Sequence, residues 1–131
     1  MKIVSHLAGA LLGLLFLVFG LNFFFSFLEV PQPPEGSPQA LFFGALFPTG
    51  YLAFIKLLEI VGGVCVAIPK SRTLGLLILG PIIVNILAYQ IFLAKGEGLL
   101  SAPVVLATVL SLFLLWSERR PFIDFINREE Y

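Results

Sequence analysis

One cysteine and one histidine are present in the 131 residues of the chain. A single thiol excludes an internal disulfide and a Cys-x-x-Cys redox pair. Cys65 lies inside an apolar run, where a thiol serves as a small packing residue. A single imidazole, His6, excludes bis-histidine haem ligation within one chain. Its place near the start of the first apolar run suits a surface or interface residue rather than a ligand. Metal-ligand spacing, a glycine-rich phosphate loop and a Ser-His-Asp set are all missing. No redox or hydrolytic chemistry assembles from these residues alone, so no metal site and no intrinsic cofactor is expected. Charge is scarce too. Charged residues make up 12% of the chain and sum to zero, whereas a soluble domain carries about 25%. This balance gives no reason to expect a nucleic-acid partner.

Apolar residues fill the space: 59% of the chain, with a mean hydropathy of +1.03. No soluble domain of this length has enough interior to hide that much apolar surface. The expected solvent is therefore a lipid bilayer, and the length fits one domain, residues 1–131. Strict apolar–polar alternation, the mark of a barrel strand, is absent. Backbone groups in lipid must be satisfied within their own segment, so the spans are expected to be helices and the fold all-α.

Four spans are expected. The first is the uncharged run 7–28, 22 residues, about 33 Å of helix against a hydrocarbon core of about 30 Å. It ends in phenylalanines rather than in the small residues of a cleavage site, so it reads as a retained span and not as a signal peptide. The others are 51–68, 73–93 and 99–116, bounded by Pro48-Thr49-Gly50, Pro69-Lys70, "KGEG" (95–98) and "SERRP" (117–121). Lys2, Lys70, Arg72, Arg119, Arg120 and Arg128 fall on one side and Lys95 on the other, which places both termini in the cytoplasm. An even number of spans agrees with that. The expected architecture is an antiparallel bundle of four transmembrane helices.

The connection 29–50 begins "EVPQPPEGSPQ", too rich in proline for a regular helix. After it, Ser37 suits an N-cap and Pro38 the first helical position. The stretch 38–47 is too short to span. It reads either as a short helix, interfacial or re-entrant, or as an apolar loop; either caps the outer side. In the tail 117–131, Phe122, Ile123, Phe125 and Ile126 form one face of a short helix. That helix suits the cytoplasmic membrane surface, with Arg119 and Arg120 near headgroups, or a partner protein.

Two charges stand inside the second span, Lys56 and Glu59. At 100° per residue they lie 60° apart, on the same side as the small residues Ala53, Gly63 and Ala67. Small residues mark the face where helices approach closely. In the first span, Gly9, Gly13 and Gly20 form a comparable stripe, with Asn22 and Ser26 on another face. The third span offers Asn85 and Tyr89 at i, i+4, with Pro81 alongside and Gln90 adjacent. The fourth offers Ser101, Thr108 and Ser111. Polar groups in lipid usually face other helices. Lys56, Glu59, Asn22, Asn85, Tyr89 and Gln90 are thus the candidates for a polar core. Such a core is either glue that fixes helix register, or a pocket that binds a quinone or lipid headgroup or passes a proton.

The block "TGYLAFIKLLEIVGGVCVAIPKSRTLGLLILGPIIVNILAYQIFL" (49–93) resembles the DoxX-like four-helix membrane proteins. The resemblance rests on Lys56, Glu59, Gly62-Gly63, Pro69-Lys70 and the Ile83–Ile86 segment. Gln90 stands where many such proteins carry a histidine. The family takes its name from a subunit associated with a terminal quinol oxidase and with thiosulfate–quinone oxidoreduction. The resemblance implies a prokaryotic inner-membrane protein with a redox-linked accessory role, partnered by a membrane oxidoreductase subunit or by further copies of itself. The expected function is a non-catalytic subunit supporting a membrane redox or quinone-linked complex. The alternatives are handling of a lipophilic molecule or proton at Glu59, and an enzyme acting on a lipidic substrate with Lys56, Glu59 and Tyr89 as acid–base groups.

Overall fold

The computed structural model describes residues 2–29, 32–96 and 99–127. Arg128, one of the orienting charges, and Glu97-Gly98 of the "KGEG" turn lie outside the described residues. Those residues are all-helical, with no strand among them. The helices are α1 (Lys2–Phe25), α2 (Pro38–Leu46), α3 (Tyr51–Ala67), α4 (Arg72–Ala88), α5 (Ala102–Ser117) and α6 (Arg119–Ile126). A 3-10 turn, Pro69–Ser71, leads into α4, and a π turn, Tyr89–Leu93, ends it. Two continuous helical stretches, Lys2–Phe25 and Pro69–Leu93, are long and apolar enough to cross a membrane. The number rises to four if the bent pairs α2–α3 (84°) and α5–α6 (66°) each make one span.

The helix α1 packs on α3 and α5, and α4 packs on the same two. Leu12, Phe16, Val66, Leu79, Ile82, Ile83, Ala107 and Leu114 fill the space between them. Large apolar side chains also cover the outside: Leu7, Leu14, Phe54, Leu57, Leu77, Val84, Val109 and Leu112 are all exposed. Helices apolar all round belong in lipid, and this surface suits that solvent.

The boundaries differ from the sequence expectation where local chemistry intervenes. The first helix stops at Phe25, three residues before the apolar run does. The Asn22 side-chain oxygen accepts the Leu28 N–H at 2.6 Å, and Ser26 takes a left-handed φ of 52°. That combination satisfies helix-end groups locally and turns the chain out. The fourth expected span begins at Ala102 rather than at 99, because Ser101 is extended and Pro103 occupies the first turn. Replacing Asn22 by alanine removes a part-buried hydrogen bond and is expected to cost about 1 kcal/mol. Thermal unfolding in detergent, followed by Trp116 fluorescence, measures it.

The stretch after the proline-rich segment is a helix, α2. Ser37 caps it through the Ala40 N–H at 3.2 Å, and Pro38 sits in its first turn. It lies nearly at right angles to α3 and buries none of its residues fully. Aromatic contacts hold it: Phe42 and Phe43 meet Tyr89 at 5.7 and 5.3 Å, and Phe47 meets Phe23 at 5.6 Å. Such pairs contribute about 0.5–1.5 kcal/mol each beyond the area they bury. Helix α6 turns away from α5 and packs Phe122 against the core, leaving Ile123, Phe125 and Ile126 exposed.

Candidate functional site

The packing of α3 follows from its Gly62-Gly63 pair. Adjacent residues point about 100° apart, and these two glycines serve two different helices. A Cβ at Gly62 would lie 2.7 Å from the Leu79 Cδ2 of α4, and one at Gly63 would lie 2.9 Å from the Gly13 carbonyl of α1. Gly20 meets Ile60 and the Lys56 carbonyl, and Gly75 meets the backbone of Val66 and Cys65. Where side chains are absent, backbones come within van der Waals contact, which is the main source of attraction between helices in lipid.

Glu59 lies one turn from both glycines, at i−3 and i−4, so its direction falls between α4 and α1. It is 5% exposed. Lys56 keeps 24% of its side chain exposed, and its Nζ donates to Glu59 Oε1 at 3.4 Å. Lys56 is the sole polar partner of the Glu59 side chain among the described residues. A contact of that length is a weak hydrogen bond but a substantial electrostatic one, since the surroundings are apolar.

Among the described residues, no hydrogen bond joins the other candidates to this pair. Asn22 is buried, and its oxygen is engaged by Leu28 as the helix-ending bond. Asn85 is exposed, on the same outer side as Pro81 and Val84. The inward face of α4 is Gly75, Leu76, Leu79, Ile82 and Ile83, and Asn85 falls off that stripe. Tyr89 and Gln90 begin the π turn, where Tyr89 supports α2. Ser101 is exposed, whereas Thr108 and Ser111 donate to carbonyls of their own helix, Val104 at 2.8 Å and Thr108 at 2.9 Å. Among the described residues no three His, Cys, Asp or Glu side chains are grouped to hold a metal.

A second polar group has formed where α1 begins and α3 ends. Arg72, 2% exposed, donates from Nε to the Val66 carbonyl at 2.9 Å and from Nη2 to the Ala67 carbonyl at 3.4 Å. These bonds occupy carbonyls that the last turn of α3 leaves unpaired. Nη1 lies 3.4 Å from His6 Nδ1. Arginine has only donors, so the imidazole nitrogen accepts and the ring proton sits on Nε2. Gly9 makes room for this guanidinium: a Cβ there would lie 2.6 Å from Nε and Nη2. Nearby, the Ser5 and Ser117 hydroxyls join α1 to α5 at 2.7 Å. Arg119 lies over the Trp116 ring at 4.6 Å.

No family model matches the chain, and no solved structure matches it. Over 79 residues the chain is 37% identical to the uncharacterized protein YwoB of Bacillus subtilis (strain 168). That stretch is 60% of this chain and 49% of YwoB, so the chain spans about half the length of the curated relative it matches.

Proposed function

We propose that this is a DoxX-like integral inner-membrane protein, a bundle of four transmembrane helices with both termini cytoplasmic. Its role in this reading is that of a non-catalytic subunit supporting a membrane redox or quinone-linked complex. One observation carries the reading: the charges inside the apolar helices are engaged by partners within the protein, Glu59 by Lys56 of its own helix and Arg72 by α3 and α1. Glu59 is paired with Lys56 on the face α3 turns to its neighbours, and Arg72 ties the end of α3 to α1. Charge used in this way fixes register, whereas a reactive site needs its groups turned toward a substrate. The apolar outer surface leaves room for the helices of a partner subunit as well as for lipid.

Co-purification tests it. The tagged chain is extracted gently from native membranes, and bound proteins and lipophilic molecules are identified by mass spectrometry. The reading expects a stoichiometric partner that carries its own redox cofactor. A retained quinone or lipid with no protein partner contradicts it. That outcome supports binding of a lipophilic molecule or proton near Glu59 instead, a reading favoured by Lys56, which stays part-exposed beside the buried carboxylate.

A further inference from the structure

An open cavity of about 430 Å³ lies where α1 begins and α5 ends, lined by Lys2, Ser5, His6, Pro69, Arg72, Ser117 and Glu118. Three helices and the 3-10 turn meet there, so its lining comes from well-separated parts of the chain. Its charges are out of balance: Lys2 and Arg72 face a single acid, Glu118. Among the described residues the only ion pair within 4.0 Å is Lys56–Glu59, so Arg72 and Glu118 share the cavity without touching. Glu118 attracts Arg72 across the cavity but does not touch it, which leaves the guanidinium room for a closer counter-charge.

The hydrogen bonds of Arg72 show what would fit. A guanidinium has five N–H groups. Three are engaged, with Val66, Ala67 and His6. The remaining two, one on each terminal nitrogen, have no partner among the described residues. A donor on each terminal nitrogen is what a bidentate oxyanion contact requires. The two serine hydroxyls use one proton between them and leave the other to donate. Lys2 adds an exposed ammonium at the rim.

We infer that this cavity binds a phosphate oxyanion, held by the Arg72 fork with Lys2 and a serine hydroxyl as further donors. Glu118 opposes the anion from the facing wall and limits its affinity. The phosphate comes either from an anionic lipid headgroup or from free phosphate in solution. Basic pockets between membrane helices take the former, and the Trp116–Arg119 pair beside the cavity has the composition of a membrane–water boundary. The site does not depend on the redox-subunit reading. It requires only that this end of the chain lie at the membrane surface.

Native mass spectrometry of the full-length chain in detergent, titrated with phosphatidylglycerol, phosphatidylcholine or inorganic phosphate, reads the occupant. Arg72→Gln also strips the end of α3, so the decisive variants are Lys2→Gln and Glu118→Gln, which leave that cap in place. Lys2→Gln is expected to weaken binding about fivefold, the effect of one basic residue near a lipid surface, and Glu118→Gln to tighten it by a similar factor. Preference for phosphatidylglycerol over phosphatidylcholine, undisturbed by millimolar phosphate, assigns the site to a lipid headgroup. Binding of phosphate with no preference between the lipids assigns it to the free ion. Binding of neither, or binding that both variants leave unchanged, overturns the inference and makes the cavity a water-filled end of the bundle.

Discussion

Replacing Gly13 by alanine is expected to lower stability by about 3 kcal/mol, the upper part of the range for overpacking a tight contact. The added Cβ would fall against the Gly63 carbonyl oxygen, with Ala67 Cβ at 2.8 Å and Ala67 N at 3.3 Å. Two of these three neighbours are backbone atoms and cannot rotate away. Relief requires α1 and α3 to separate, and separation forfeits dispersion contacts along the whole pair. Gly63→Ala meets the Gly13 carbonyl from the other side at 2.9 Å and is expected to cost a comparable amount. The two changes act on one joint, so their effects should not add. Gly80 supplies the control, because a Cβ there has no neighbour within 4 Å. Gly80→Ala is expected to be neutral, or stabilising by up to about 1 kcal/mol through helix propensity. Reversible unfolding in mixed micelles measures all three. Loss of stability at Gly80 equal to that at Gly13 would refute the close approach.

The charged pair gives the second large effect, and it is asymmetric. Lys56→Met leaves the Glu59 carboxylate without its only polar partner among the described residues, at a site 5% exposed. Removing one partner of a buried pair costs about 3–5 kcal/mol. The lower end applies here, because Lys56 is part-exposed and the contact is long. Glu59→Leu is expected to cost clearly less. The lysine it leaves behind has a flexible stem and can carry its ammonium toward the membrane boundary. Lys56→Met with Glu59→Leu removes both charges and is expected to recover most of the loss of Lys56→Met. A double-mutant cycle in mixed micelles gives the coupling free energy. Equal costs for the two single changes would show that the surroundings, and not the pair, hold these groups.

Helix content, and the lengths that suit a membrane, follow from composition and from where Pro48, Pro69 and Ser117 interrupt the apolar runs. The start of α2 is legible for the same kind of reason, since Ser37-Pro38 is a local signal whose hydrogen bond needs no tertiary partner. The end of α1 is not. The run stays apolar to Leu28, and only the Asn22–Leu28 bond and the left-handed Ser26 show why the helix stops at Phe25. On α4 the polar residues mislead. Asn85 suggests an inward face, but it lies on the exposed side of α4, whose inner stripe is set by Gly75 and Leu79, where lack of bulk or close fit lets α3 approach. Arg72 reads in the sequence as one more orienting charge. That its guanidinium folds back onto α3 and occupies the space left by Gly9 depends on the 3-10 turn at Pro69–Ser71, which no periodicity reveals.

In the proposed reading the Lys56–Glu59 ion pair within α3 is structural and takes no part in binding or proton transfer. The most direct test places the Lys56→Met/Glu59→Leu double variant in native membranes, in place of the original chain. Partner recovery and quinone-linked turnover are then measured side by side with the wild type. Unchanged partner stoichiometry and unchanged turnover are expected. A double variant that accumulates and assembles normally but loses turnover, or loses a bound lipophilic molecule, would contradict it and assign the pair to a binding or proton-handling site.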